Sequence, residues 1–274
     1  MTLLHPARTG QQPEKEALLD CRDLPTALQS LSSGLQIPRA VLLDILQDIA
    51  PRQIHSRKSL QFAPPDEALW SELKRRYPIR PWSQGTCWHH LTRTADPAGY
   101  SRGLLPLGQV LPELWEVLER CARPHVNPRA WSTFQRTLGH HHLRWLHEQK
   151  MQDRTQWGPS GMLLREAAFQ PGVYGNPDFL QAPETVLDLC RCFQGTYGVD
   201  VLATYRQITR PCVVKFWTPG TSKAAWVKAV YWVYGQVQGL EMTPAHNLHF
   251  DGRGAAISPA QVLQIEVLQE GADC

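Results

Sequence analysis

Residues 82–107, WSQGTCWHHLTRTADPAGYSRGLLPL, gather more chemistry than any other run of the chain. They hold a thiol (Cys87), two adjacent imidazoles (His89 and His90), a hydroxyl (Thr92), a guanidinium (Arg93) and a glycine-bounded turn. A thiol can serve as a nucleophile if a distant histidine takes its proton and a carboxylate or amide orients that histidine. His246 or His249, with Asn247 and Asp251 nearby, have the right types. The opposing expectation is that Cys87 is a buried, inert cysteine. A second cluster, His140, His141, His142 and His147 with Arg136, Arg144 and Lys150, crowds one helical stretch. Only residues three or four apart share a helical face, and no matching cysteine or carboxylate set accompanies them. That stretch reads as a histidine-rich, basic helix surface, and no metal site is expected.

The elements that position these groups follow from local pattern. Residues 86–92 are rich in β-branched and aromatic types and read as a short, half-buried strand. Alternation puts Trp88, His90 and Thr92 on one face and Cys87, His89 and Leu91 on the other. Residues 94–103 carry Asp-Pro, Gly and Tyr, which is turn chemistry, and Gly103 opens a Leu-Leu-Pro-Leu exit.

Before this run the chain reads as helical. Pro38 opens a helix with Leu42, Ile45, Leu46 and Ile49 at helical spacing, and another begins near Pro65. Arg52, Arg57, Lys58, Lys74, Arg75 and Arg76 would give such helices a basic face able to meet phosphates, or merely a solvated one. The proline-rich residues 77–82 mark a boundary. The organisation expected is a helical N-terminal region, residues 1–80, followed by an α+β domain with a mixed or antiparallel sheet, residues 81–274. Within it, 108–121 is a helix, and Asn127-Pro128 opens a longer one to about residue 150. Residues 171–183 form a Gly/Pro/Asn loop with Tyr174 inside it, of a length that is usually functional or mobile. Residues 211–217 and 224–237 carry the strongest strand signals, with Glu241 ending the second run, and 256–268 reads as a turn of helix and a closing strand.

Composition bounds the rest. The chain has 274 residues, enough to bury a sizeable core, and its ten tryptophans mark it as globular. A net charge of +3 is too small to announce a nucleic-acid binder. Seven cysteines without paired CxxC units favour reduced thiols. The start lacks a signal peptide's pattern and no stretch reaches the length of a membrane span, so a cytoplasmic location without membrane partners is expected.

A strand carrying His90-x-Thr92, then a loop, then the Gly103-Leu104 exit resembles the opening of the NAD-using ADP-ribosyltransferase superfamily. The ending, Ile257-x-Pro259 and the apolar residues after it, resembles that superfamily's closing segment. The resemblance implies an ADP-ribosyltransferase-like fold over residues 81–274 and NAD as cofactor. His90 would hold the nicotinamide-side ribose with Thr92 assisting, Arg93 and Gly103 would complete the cofactor-binding set, and Tyr100 or Tyr174 would stack on the nicotinamide. It further implies a catalytic glutamate on a late strand, Glu241 or Glu266, and transfer of ADP-ribose to a protein or nucleic acid by a bacterial toxin or phage-defence effector. Two rivals stand beside it. One is a nucleic-acid- or partner-binding protein without catalysis. The other is a cysteine hydrolase, because Gln84-Gly-Thr-Cys87-Trp88 resembles the core around papain-like and transglutaminase nucleophiles, although those open a helix and Cys87 is expected on a strand.

Overall fold

The computed structural model describes residues 2–4, 18–55, 63–139 and 144–269, with the side chains of 2–4 and of Leu146 left aside. Arg57, Lys58, His140, His141, His142 and Cys274 lie outside the described residues. The fold is α+β. In chain order the elements are β1 (Thr2–Leu4), β2 (Leu18–Leu19), α1 (Leu24–Leu35), α2 (Arg39–Asp48), α3 (Pro51–Ile54), α4 (Pro65–Arg76), β3 (Gly85–Thr94), α5 (Leu107–Ala122), α6 (Pro128–Thr137), α7 (Arg144–Gln152), β4 (Ser160–Met162), α8 (Pro171–Tyr174), α9 (Glu184–Tyr197), α10 (Leu202–Ile208), β5 (Arg210–Pro219), α11 (Lys223–Gln238), β6 (His249–Asp251) and β7 (Val262–Val267). A 3₁₀ turn, Pro97–Arg102, follows β3.

The sheet runs β1-β7-β5-β3-β4-β6, antiparallel at every step, and β2 lies parallel to the start of β3. β3 is central, so its pleat decides which side chains meet. Trp88 pairs with Phe216 and His90 with Val214 on β5, whereas His89 pairs with Lys215. Trp88, Phe216 and Phe250 pack ring against ring on the His90 face, with Phe250 5.4 Å from each of the other two.

Residues 224–237, read from sequence as a strand, form helix α11. Ser222 caps it, its Oγ accepting from Ala225 N at 3.1 Å, and Gly239 ends it in the left-handed region at φ 63°. Ten of its sixteen residues are buried, so no polar beat marks a period. A helix covered on all sides carries the same continuous apolar run as a buried strand. α1, α2 and α4 pack around it. The Tyr234 hydroxyl donates to Ile49 O at 2.9 Å and Gln238 Nε2 to Leu46 O at 2.8 Å. A Cβ on Gly34 would lie 2.1 Å from the Trp226 ring. These helices and the sheet share one hydrophobic core, while α5, α6, α9 and α10 enclose a second around Trp115, Phe134, Phe193 and Tyr205.

The long helix expected from residue 128 to about 150 is two. α6 stops at Thr137, and Leu138 and Gly139 both take positive φ, 53° and 64°. A Cβ at Gly139 would meet Thr196 Oγ1 at 2.0 Å, so the chain turns where it presses against α9. Among the described residues no helix is long and apolar enough to cross a membrane.

Candidate functional site

On one face of β3, His90 is half-buried and its Nδ1 lies 2.8 Å from the Ser160 carbonyl. A carbonyl only accepts, so Nδ1 carries the proton and Nε2 is left as an acceptor. Burial pushes the His90 pKa down, which keeps the ring neutral at pH 7. Tyr100, from the turn after β3, meets the His90 ring edge-on at 6.4 Å, and its hydroxyl donates to Thr92 Oγ1 at 3.3 Å. Gly103 leaves that turn at φ 98°, and a Cβ there would sit 2.2 Å from Ile257 O. The close approach lets Leu104 and Ile257 exchange both backbone hydrogen bonds, Leu104 N to Ile257 O at 3.0 Å and Ile257 N to Leu104 O at 2.9 Å. Beyond Ile257, Gln261 Oε1 accepts from Ser258 N at 3.0 Å and its Nε2 donates to Trp217 O at 3.1 Å, tying this turn to β5. Through Gly103 and Leu104, the segment that carries His90, Thr92 and Tyr100 is thus joined to Ile257, far on in the sequence.

Other residues singled out from sequence lie elsewhere. Arg93 points to the opposite face from Thr92, as alternation requires. Its Nε donates to Thr209 Oγ1 at 2.8 Å, and its terminal nitrogens donate to the carbonyls of Leu180 (3.3 Å), Thr209 (3.0 Å) and Arg206. Tyr174 closes α8 and is buried, its phenol pushed up by burial and by the nearby Glu166 carboxylate. Glu266 sits in β7 opposite Val213, itself opposite Leu91, and so projects on the face away from His90. There it is almost fully buried, and Arg165 grips it with both guanidinium arms, Nε to Oε2 at 2.9 Å. Glu241 is exposed in the segment after α11, at the end of a helix and not of a strand.

A scan against protein-family models and searches of curated proteins and of solved structures return no match.

Cys87 lies mid-strand and buried, and burial, then the neighbouring Asp20, push its thiol far up, so it has no thiolate character at neutral pH. His246 is stacked on Tyr231 of α11 at 4.3 Å, and His249 is two strands from β3 on β6. Arg75 and Arg76 of the basic helix face both bind Glu72, at 2.8 and 2.7 Å, and Arg76 also pairs with Asp48. Among the described residues no group of three or more His, Cys, Asp or Glu could hold a metal ion.

The face of β3 opposite His90 carries a cavity that no local sequence pattern on the strand announces. It measures about 200 Å³ and lies between His89, Leu91, Met162 and His249 on the sheet and Asn176 and Phe179 of the loop after α8. His89 is 1% exposed; its Nδ1 faces Met162 O at 3.4 Å and its Nε2 has no protein partner. Asn176 Oδ1, also buried, has none either. Burial pushes the His89 pKa down to about 4. The Gly/Pro/Asn composition of residues 171–183 was the one signal pointing here; the pairing of that loop with His89 depends on tertiary contacts.

Proposed function

We propose that this chain is an NAD-dependent ADP-ribosyltransferase of the superfamily that its motifs resemble, acting on a protein or nucleic acid. The observation that carries the reading is the backbone pairing of Leu104 with Ile257, which joins the closing motif to the segment whose Tyr100 touches His90 and Thr92. The donor set fits the cofactor. His90 Nε2 is a neutral acceptor for a ribose hydroxyl, the buried Thr92 anchors Tyr100 by accepting from its hydroxyl, and the Tyr100 ring offers aromatic surface to a nicotinamide. When bound, NAD supplies an ADP-ribosyl group whose bond to nicotinamide breaks with its electron pair going to the ring, while the acceptor bonds to the ribose carbon and loses a proton. In this reading His90 holds the sugar in place, and Ser160 fixes the tautomer that lets it do so.

A second reading, a dinucleotide-binding protein without transfer, draws on the positions of the two glutamates. Glu266 is turned to the other face and held by Arg165, and Glu241 stands on the exposed segment after α11. Labelled NAD incubated with the protein and a cell extract separates the two. Label incorporated into macromolecules by the wild type and lost in His90→Ala supports transfer. Saturable NAD binding without incorporation supports the second reading, and neither binding nor incorporation overturns both.

A further inference from the structure

We propose that the cavity between the loop after α8 and the His89 face of the sheet is a binding site for a neutral, flat heteroaromatic molecule that carries an N–H donor. Buried polar atoms are normally paired, and an unpaired one is costly. Here two buried atoms without a protein partner, His89 Nε2 and Asn176 Oδ1, belong to residues lining the same cavity. Because the Met162 carbonyl faces His89 Nδ1, the ring proton belongs there and Nε2 is an acceptor, as an amide oxygen always is. Two acceptors call for a donor. Of the remaining walls Leu91, Met162 and Phe179 are apolar, while Ser160 and His249 add neutral polar groups at the edge; no Asp, Glu, Lys or Arg is among the lining residues, so a charged guest would lose its hydration without a counter-charge. Drug-sized ligands occupy pockets of roughly 300–1,000 Å³. At about 200 Å³ this one suits a single small ring system.

Alternation along β3 puts His89 and the cavity on the face opposite His90, and Ser160, whose carbonyl meets His90 Nδ1, is the residue that the two sites share. The test is calorimetric titration of the full chain with adenine and with indole, and with benzofuran as a ring of indole's shape that lacks the N–H. Saturable binding of at least one N–H ring, about tenfold tighter than benzofuran, is expected. Asn176→Leu, a change in a loop, is expected to weaken that binding about tenfold, and His89→Phe to repeat the loss from the strand side. If His89→Phe does not fold, Asn176→Leu alone carries the comparison. His90→Ala is expected to leave the affinity unchanged, whatever becomes of NAD. Absence of saturable binding by either ring, equal binding of benzofuran, no effect of Asn176→Leu, or loss in His90→Ala would each overturn the proposal.

Discussion

Neighbouring residues of one strand, His89 and His90, meet different fates because the pleat sends them to different faces. His89 is buried among ion pairs, Lys215 with Asp20 and Arg165 with Glu266, and its pKa is pushed down from 6.5 to about 4, burial being the largest cause. The sign follows from the neutral ring. Above the ordinary histidine value both folded and unfolded chains are unprotonated there, and stability is whole. As pH falls from about 6.5 towards 4 the unfolded chain takes up a proton that the fold refuses, and stability drops by up to roughly 3 kcal/mol. Urea midpoints measured over that window should fall for the wild type and fall less steeply for His89→Phe; parallel profiles would contradict the account. Glu266 makes the complementary point. Glu266→Gln leaves Arg165 without its buried counter-charge and should cost about 3 kcal/mol by denaturant melting, yet leave NAD binding unchanged. A change in NAD affinity at preserved stability would return Glu266 to the site.

At the scale of elements, the turn after β3 and the turn before β7 depend on one glycine. Gly103→Ala should cost about 1–3 kcal/mol, because it adds strain at φ 98° and drives a Cβ into Ile257 O. Thermal melts check this, and a neutral substitution would mean that the Leu104–Ile257 pairing does not hold the two turns together. The same elements show what the sequence makes legible. β3, the turn at 97–102 and β7 are readable because alternation and Gly/Pro chemistry are local signals, and the Gly103-Leu104 and Ile257-x-Pro259 motifs border the last two. α11 reads as a strand because a helix buried on most sides has no polar beat, and Glu241 follows a helix and not a strand. Alternation alone already turns Arg93 away from Thr92, since adjacent residues on a strand face opposite ways. The partnership of Glu266 with Arg165 and of His89 with Asn176 was beyond reach, because each depends on the register of segments far apart in the chain.

For the whole molecule, α1, α2 and α4 are not an appendage to the sheet. They surround α11 in the same core that the sheet closes, with Trp226 seated on Gly34 and Tyr234 bonded to Ile49. A fragment of residues 81–274 should therefore lack cooperative unfolding by circular dichroism, since α11 would expose Trp226, Val230 and Tyr234. A fragment that melts as sharply as the full chain would show that the helices are dispensable. With both cores intact, β3 is held rigidly enough to present His90, Thr92 and Tyr100 as a preformed set. The most direct test of that set is the thermal stability of the full chain with and without NAD, for the wild type and His90→Ala side by side. A ligand held on the folded state alone raises the midpoint in proportion to its occupancy, about 2.7 kcal/mol at a hundredfold excess over Kd. NAD should stabilise the wild type and have no effect on His90→Ala. Equal stabilisation of the two, or none in the wild type, would contradict the assignment of NAD to this face of the sheet.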